Sequence, residues 1–499
     1  MFKKMFIVLV TVFFFVPSLI QAGSFGKGDP SGVPGQWYVG TTPSYVAPEK
    51  HPILFVHGFN SSSGTWWDGN NMYDTALQNG YETAFIDLYP TKNMWDNGSL
   101  LAEKIRDIYN FFGEKVVVVA HSKGGVDTQS ALVHYNAYPY VERVITLSSP
   151  HHGSQLANLA YSSWAGWLAA ILGSRNDATY SLQTGYMSNF RSQTDDHANI
   201  GKVPFYTFGG TKWGSFGSSL YWGGLYLSMY GSNDGVVTTT SSRLPNSTQI
   251  RIGDWNHTTI KEGSSTFNLF RNYLNENAPA GAGIQSQNAE AISVPADLPS
   301  SFVRGGEYIG KHQQSIYVED GVNQITIDWM SDQKKTDLKL TDPSGKEYTA
   351  FTVENDENAI FQGAYHHSIS ISQPAAGEWK LEANSEQQEH YLLNVTFDSP
   401  LQNSLSIDLD GSKVKLFSKD SKLQVKSDMT IEYYKNGKLK QGNIKVKNSG
   451  LSTYQLPKLG EGVYNITINL EGKQNNNNKF QRTIIKSVYV DQNGRAFYQ

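Results

Sequence analysis

Ser122 lies in the stretch of this sequence that is best suited to nucleophilic chemistry. The apolar, β-branched run 116–119 predicts a strand buried on both faces of a parallel sheet, and Ala120-His121-Ser122-Lys123-Gly124 follows it directly. A serine at a sharp turn from strand to helix exposes its hydroxyl, and the small Ala120 and Gly124 leave room for neighbouring chains. The following helix would point its N-terminal N–H groups at the reacting centre. The alternative is an ordinary Ser-Gly turn after a core strand.

Asp234 and His257 could form a proton-transfer chain with Ser122. Asp234 lies in Asn-Asp-Gly-Val-Val, and His257 lies in Trp-Asn-His-Thr-Thr after a predicted strand at 249–252. A serine hydroxyl is a weak nucleophile unless a neighbouring base takes its proton, and a carboxylate can hold that base in the right tautomer. A plain Asn-Asp-Gly turn is the alternative for Asp234.

The elements that must position these residues alternate between strands and helices. Apolar runs predict strands at 53–56, 81–87, 141–147 and 203–208 besides the strand before Ser122. A helix is predicted from Leu101, Ile105, Ile108 and Phe112, which recur at spacings of three and four, with Ser99 as its N-cap. The alternation predicts a doubly wound, mostly parallel sheet, in which ligand sites form at the carboxyl ends of the strands.

Five motifs together resemble those of bacterial secreted lipases and esterases of the α/β-hydrolase fold. They are His57-Gly58-Phe59, the serine turn 120–124, Ser148-Ser149-Pro150-His151-His152-Gly153-Ser154, the Asp234 turn and the His257 loop. The resemblance covers roughly residues 50–275. Enzymes of this fold run in the order Ser, acid, His, so it implies that Ser122 is the nucleophile, Asp234 the acid and His257 the base.

The same resemblance implies where the oxyanion of the reaction would be bound. The His-Gly-apolar turn follows a predicted strand and is similar to the oxyanion loop of lipases. The backbone N–H groups of Phe59 and Lys123 would then be the two donors, fixed before negative charge appears. An ordinary β-turn is the alternative.

No cofactor and no metal are expected. Several larger members of this group bind calcium through an Asp two residues after the catalytic His, and here that position is Thr259. Asp254, which precedes His257, is interpreted as a loop residue.

A stripe of apolar residues between 156 and 172 recurs at helical spacing and contains Trp164 and Trp167. Its place after a strand end favours a lid or the wall of an acyl-binding site, with both tryptophans binding substrate. Plain core packing is the alternative.

Composition limits the other possibilities. The chain has 499 residues, a net charge of −4 and no cysteine, which predicts two to four domains and excludes disulfide and thiol chemistry. No excess of basic residues indicates nucleic-acid binding. Residues 1–22 have a basic start and a short apolar run, and they predict a cleaved signal peptide and hence a secreted, extracellular protein. An uncleaved N-terminal anchor is the alternative.

The second half of the chain has a different pattern. Residues 276–300 are rich in Ala, Gly, Gln, Ser and Pro and predict a linker with few contacts across it. Beyond it, apolar residues alternate with period two, which predicts β-sandwich-like domains at 301–400 and 401–499 after the catalytic domain at 23–275.

These two regions differ in charge. Residues 301–400 contain seven Lys and Arg against 16 Asp and Glu, a net charge of −9, whereas residues 401–499 contain 16 against eight, a net charge of +8. The split could reflect mutual docking, anchoring of the basic domain on an insoluble substrate or an anionic cell wall, or chance.

The resulting prediction is a secreted serine carboxylester hydrolase that cleaves lipid esters such as triacylglycerol through an acyl-enzyme on Ser122. One alternative is an extracellular polyester depolymerase of the polyhydroxyalkanoate type, with the β domains as polymer-binding modules. Another is a surface-binding protein with an inactive hydrolase domain.

Overall fold

The computed structural model describes residues 23–24, 32–278, 300–357, 360–403, 405–418, 423–446, 453–473 and 478–499. The predicted signal peptide and most of the predicted linker lie outside these residues. We refer to 23–278 as the N-terminal domain, 300–400 as the middle domain and 401–499 as the C-terminal domain. In the described part of the chain, no helix is both long enough and apolar enough to cross a membrane.

The N-terminal domain is built on one sheet. Its described strands are β1 (Gly23–Ser24), β2 (Trp37–Val39), β3 (Ile53–Val56), β4 (Thr83–Ile86), β5 (Val116–His121), β6 (Val141–Leu147), β7 (Phe205–Gly210) and β8 (Thr248–Gly253). They pair in the order β1-β2-β4-β3-β5-β6-β7-β8. Only the β2–β4 pair among them is antiparallel. The predicted doubly wound, mostly parallel sheet is therefore confirmed.

Helices cover both faces of this sheet. They are α1 (Met72–Gln78), α2 (Met94–Phe112), α3 (Lys123–Val133), α4 (Gln155–Ala160), α5 (Gly166–Ile171), α6 (Asp177–Ser181), α7 (Thr184–Thr194), α8 (Ser219–Leu227), α9 (Thr239–Ser242) and α10 (Asn268–Phe270). Alternate residues of β5 belong to two separate apolar cores, with Val116 and Val118 in one and Val117 and Val119 in the other. A strand buried on both faces explains the uninterrupted valine run.

The start of α2 differs from the prediction. Asn93, not Ser99, is the N-cap, because its side chain accepts hydrogen bonds from the N–H groups of Trp95 and Asp96. Gly113 ends the helix with a φ of 74°, a conformation that glycine adopts without steric cost.

The middle domain is an antiparallel sheet in which strand length varies from two to 22 residues. Its described strands are β9 (Ser301–Val318), β10 (Gln324–Ser331), β11 (Asp337–Thr341), β12 (Glu347–Tyr348), β13 (Thr352–Asn355), β14 (Tyr365–Ser372) and β15 (Gly377–Asp398). They form one seven-stranded sheet, in which β15 pairs with β9, β10 and β11.

The C-terminal domain has two described antiparallel sheets around one apolar core. Its strands are β16 (Leu405–Asp410), β17 (Lys413–Ser418), β18 (Gln424–Lys435), β19 (Lys438–Val446), β20 (Thr453–Gln455), β21 (Gly462–Lys473), β22 (Lys479–Val490) and β23 (Ala496–Phe497). Strands β16, β17 and β20 form one sheet and the other five form the second. The predicted change to antiparallel β structure is confirmed in both domains.

The expectation of few contacts across the linker is wrong. One continuous cluster of buried apolar side chains, here called the interdomain cluster, combines all three domains. It includes Leu156, Leu168, Phe190, Trp222 and Tyr226 of the N-terminal domain, Met330, Ile360, Phe361 and Leu392 of the middle domain, and Tyr434, Val463 and Ile485 of the C-terminal domain. Linker composition reports on the connecting segment, whereas contacts between domains depend on the faces that the folded domains present.

Polar contacts add to this interface. Arg175 donates to the Tyr434 hydroxyl at 2.7 Å and pairs with Glu432 at 3.3 Å. Between the middle and C-terminal domains, the fully buried Arg482 and Glu319 form an ion pair, and the Arg482 guanidinium lies 4.0 Å from the ring centroid of Phe397. Charged groups of opposite sign therefore join the acidic middle domain to the basic C-terminal domain.

Candidate active site

Ser122 occupies the sharp turn between β5 and α3. Its φ of 52° and ψ of −133° are rare for a residue with a side chain, and such a conformation costs about 1–3 kcal/mol. The flanking elements hold it in place, because the Ser122 N–H donates to the Leu147 carbonyl of the neighbouring strand β6 at 3.0 Å and Ser122 is the N-cap residue of α3.

Glycines on both sides of this turn allow close approach of the backbone. A Cβ atom on Gly124 would lie 2.4 Å from the His57 carbonyl oxygen, and one on Gly58 would lie 2.7 Å from the Cβ of Ser122. Both distances are shorter than side-chain carbons tolerate. The absence of these side chains therefore brings the turn after β3 directly against the serine.

The structure brings Ser122, His257 and Asp234 together from three separate loops. His257 Nε2 lies 3.1 Å from Ser122 Oγ, and His257 Nδ1 lies 2.7 Å from Asp234 Oδ2. The other oxygen of Asp234 accepts from the N–H groups of Val236 at 2.9 Å and Val237 at 2.7 Å. With Nδ1–H donating to the carboxylate, Nε2 is left with its lone pair facing the serine hydroxyl, as a general base requires.

Burial and a second histidine fix the orientation of this assembly. Asp234 is fully buried, and Ser122 and His257 retain 8% and 7% of their surface, so the assembly lies largely out of water. His121 donates from Nε2 to the His257 carbonyl oxygen at 2.8 Å. Burial lowers the pKa of His121 well below its usual value, so this ring stays neutral and adds no positive charge beside His257.

His57 fixes the backbone of the predicted oxyanion loop. Burial lowers the pKa of His57 to about 4, and the neutral ring accepts the Leu88 N–H at Nε2 (2.9 Å) and donates from Nδ1 to the Gly58 carbonyl (2.8 Å). Because C=O and N–H point in opposite directions across a trans peptide, holding the Gly58 carbonyl toward His57 turns the Phe59 N–H away from the ring.

The side chain of Lys123 lies in an environment that the sequence analysis did not predict. The backbone N–H of the same residue is the second predicted oxyanion donor. The ammonium group is buried against Asp127, with Nζ 2.6 Å and 2.8 Å from the two carboxylate oxygens. Asn97 of α2 donates to the same carboxylate at 2.9 Å. Sequence reasoning missed both partners, although the spacing of four residues between Lys123 and Asp127 on a helix is a recognisable signal.

The two tryptophans predicted to bind substrate have different surroundings. The Trp164 indole donates to Asn469 at 2.9 Å, and the Arg304 guanidinium lies 4.7 Å from its ring. Trp167 is 51% exposed on α5, one turn before Ile171, which is 57% exposed. None of these contacts joins a tryptophan to Ser122, Asp234 or His257, so their role in substrate binding stays a prediction.

The loop at His257 is held by its own side chains. Thr259 occupies the position at which a calcium-binding Asp would be expected. Its hydroxyl oxygen accepts the Asn256 backbone N–H at 3.0 Å. Asp254 is exposed and 4.0 Å from Lys212. Among the described residues, no group of three or more His, Asp and Glu side chains is arranged to bind a metal ion.

Comparison with known proteins shows which family this chain belongs to. The crystal structure of the Bacillus licheniformis lipase BlEst2 in its propeptide form is 44% identical in sequence, covers 94% of this chain and 100% of its own, and superposes with a TM-score of 0.82. This chain belongs to the bacterial lipase/esterase family of the α/β-hydrolase fold. The lipase/esterase is therefore a carboxylic ester hydrolase.

Other similarities to the lipase/esterase cover less of it. The crystal structure of BlEst2 in its mature form is 56% identical over 49% of this chain and 99% of its own, with a TM-score of 0.47. The family model described as a PGAP1-like alpha/beta domain matches residues 89–162. No curated protein sequence matches the chain.

Proposed function

We propose that this lipase/esterase is a secreted serine hydrolase that cleaves lipid esters such as triacylglycerol through an acyl-enzyme on Ser122. The observation that carries the proposal is the continuous contact from Ser122 Oγ to His257 Nε2 at 3.1 Å and from His257 Nδ1 to Asp234 Oδ2 at 2.7 Å. This arrangement can activate a hydroxyl nucleophile without a metal or a cofactor.

In the first half of the reaction, Ser122 Oγ attacks the ester carbonyl carbon while its proton passes to His257 Nε2. The carbonyl oxygen becomes an oxyanion, which the backbone N–H groups of Phe59 and Lys123 bind. Asp234 stabilises the resulting imidazolium and holds its tautomer. The imidazolium then gives its proton to the departing alcohol oxygen, and the acyl group stays on Ser122.

In the second half, water replaces the alcohol. His257 takes a proton from the water as its oxygen attacks the acyl carbon, and the same two N–H groups bind the second oxyanion. The proton returns to Ser122 Oγ when the acyl–oxygen bond breaks, which releases the carboxylic acid.

Two apolar features favour a lipid ester over a small polar one. Phe59, beside the nucleophile, and Val236, beside the acid, both pack against the interdomain cluster, so the surroundings of the site are suited to an acyl chain. Trp167 and Ile171 form an exposed apolar pair on α5, and exposed apolar side chains at one place on a surface favour contact with a lipid phase.

Replacing the nucleophile tests the proposal. Ser122→Ala should reduce kcat on a soluble ester by about 10⁵–10⁶-fold, as expected when a triad serine is lost. Ser130→Ala, which removes another buried serine hydroxyl from the same helix, is the matched control and should keep its turnover. Substantial hydrolysis by the Ser122 variant would place the nucleophile elsewhere. Comparing emulsified triacylglycerol with polyester film would separate a lipase from a depolymerase.

We also propose that the middle and C-terminal domains act as a pro-region of this enzyme. The BlEst2 crystal structure that covers 94% of this chain is a propeptide form. In this chain, the interdomain cluster that Phe59 and Val236 pack against includes Phe361 of the middle domain and Ile485 of the C-terminal domain. Both attached domains thus belong to the apolar cluster that these two residues of the proposed site pack against.

Truncation tests this second proposal. A chain that ends at residue 278 should hydrolyse lipid esters faster per active serine than the full chain, because the apolar surface beside the site is then open. End-point titration with a fluorophosphonate gives the concentration of active serine in each sample. Equal turnover of the two forms would contradict a pro-region role.

A further inference from the structure

We infer that Asn97 and Asp127 are positioning residues of this enzyme, which through a buried hydrogen-bond chain hold the two oxyanion donors, the N–H groups of Lys123 and Phe59, in one fixed relative geometry. The inference rests on the proposed function, since it concerns the oxyanion hole of that reaction. The chain runs from the first turn of α3, through α2, to the backbone that follows Phe59.

The first link joins Lys123 to Asp127 across one turn of α3. The ammonium nitrogen lies 2.6 Å and 2.8 Å from the two carboxylate oxygens, and both residues are almost completely buried. Lys123 is the first residue of α3, directly after Ser122. The ion pair therefore holds the residue whose backbone N–H is one of the donors.

Stability alone does not account for an ion pair at this depth. Burial lowers the pKa of Lys123 and raises that of Asp127, which shows that removal from water disfavours the charged form of each. A buried ion pair can often be replaced by apolar side chains without loss of stability. Its directional hydrogen bonds, in contrast, fix geometry in a way that apolar contacts do not.

The second link is Asn97, which is 1% exposed. Its Nδ2 donates to Asp127 at 2.9 Å and to the Tyr89 carbonyl at 3.0 Å, while its Oδ1 accepts the Tyr89 N–H at 3.1 Å. One amide group thus holds both backbone groups of Tyr89 and, at the same time, the carboxylate that holds Lys123.

The third link reaches the other donor. Pro90, next to Tyr89, accepts the Asn60 N–H at its carbonyl at 3.0 Å. Asn60 has a φ of 47°, and it follows Phe59 directly. The position of the loop 89–90 therefore constrains the peptide unit adjacent to the Phe59 donor.

Simple packing of α2 on α3 does not require this amide. A Cβ on Gly98 would lie 2.5 Å from the Ser130 hydroxyl oxygen, so the two helices already meet at close range beside Asn97. Placing a buried amide there adds directional contacts to Tyr89 and Asp127 that helix packing leaves unspecified.

Asn97→Ala tests the inference in the full chain. We expect kcat on a soluble ester to fall about tenfold, with KM unchanged within about twofold. The donors lose their alignment but remain present, whereas loss of a whole donor lowers kcat by roughly 10²–10³-fold. The affinity for an aryl boronic acid, which forms a tetrahedral adduct on the serine, should fall by the same factor. Rates are normalised to active serine by end-point fluorophosphonate titration.

Asn199→Ala is the matched control. Its amide donates to the Val133 carbonyl at 2.9 Å, at the other end of α3, and its loss should change neither kcat nor boronate affinity. Normal kcat and boronate affinity in Asn97→Ala, or equal losses in both variants, would overturn the inference. If Asn97→Ala does not fold, Asn97→Ser is measured against the same two outcomes. An active Ser122→Ala would instead overturn the proposed function.

Discussion

The N-terminal domain and the two β domains use buried charged groups differently. In the N-terminal domain, two such pairs lie at the carboxyl ends of parallel strands: His257–Asp234, whose histidine contacts Ser122, and Lys123–Asp127, which begins at the residue after Ser122. In the β domains, Arg482–Glu319 joins one domain to the other, and His366–Asp328 lies between two paired strands of one sheet.

The difference shows how position decides what a buried ion pair can do. At the carboxyl ends of parallel strands the backbone opens into a cleft, so a charged group there can meet a substrate or hold the backbone that does. Between antiparallel strands and between domains, the surrounding side chains close around the charges. Removing an ion pair at the strand ends should therefore affect turnover. Removing an ion pair between antiparallel strands or between domains should affect folding.

The largest contrast is expected at Asp234. Asp234→Asn should lower kcat by about 10⁴-fold with little change in fold, because the amide favours the wrong tautomer of His257. Asp328→Asn, which also removes a buried carboxylate paired with a histidine, should leave kcat per active serine unchanged. Initial rates on a soluble ester measure both. Comparable losses of kcat in the two variants would remove the distinction between the regions.

A second contrast concerns the ion pair between the β domains. Arg482→Ala leaves Glu319 buried without its partner and should lower the free energy of unfolding by about 3–5 kcal/mol, measured by denaturant titration. The double variant Arg482→Met with Glu319→Leu should recover most of this loss. An Arg482→Ala variant as stable as the wild type would show that the pair does not hold the two domains together.

The charge on His366 should make the stability of the middle domain depend on pH. Burial disfavours this charge, but Asp328 and Asp356 outweigh it and raise the pKa of His366 to about 10. The folded state then holds a proton that the unfolded state releases near pH 6.5. Stability from this group is complete below pH 6.5 and is lost as the pH rises toward 10.

We expect the free energy of unfolding of the wild type to fall between pH 7 and pH 10, by an amount on the order of a few kcal/mol. His366→Gln should remove most of this slope. His367→Gln is the control, because His367 contacts the backbone oxygens of Trp329 and Lys334. A wild-type stability that stays constant over this range would mean that His366 is neutral in the folded protein.

The smallest effect is expected from the surface charge of the C-terminal domain. If its net charge of +8 anchors the enzyme on an anionic surface, retention of the full chain on anionic beads should weaken as salt rises, because exposed charges are screened over about 8–10 Å at physiological ionic strength. The chain ending at residue 278 should not be retained. Salt-independent retention would make the charge difference irrelevant to anchoring.

Local patterns predicted the strands of the N-terminal domain well. The strands at 53–56 and 141–147 have the predicted bounds, because a strand buried on both faces must be apolar throughout and turn residues delimit it. The start of α2 was missed, because its first turn, Met94–Asn97, lacks the apolar spacing that revealed its later turns and depends instead on the Asn93 side chain.

The sequence by itself determined the order Ser122, Asp234, His257, the turn that carries the serine, and the change to antiparallel β structure after residue 300. These are local patterns, set by side-chain size, polarity and spacing. Tertiary structure alone decided that Asn97 meets Asp127, that Phe361 packs against Trp222 and that Trp164 bonds to Asn469. Such contacts join residues 30 to more than 200 positions apart, and a period of two in a strand shows that one face is buried without showing which domain buries it.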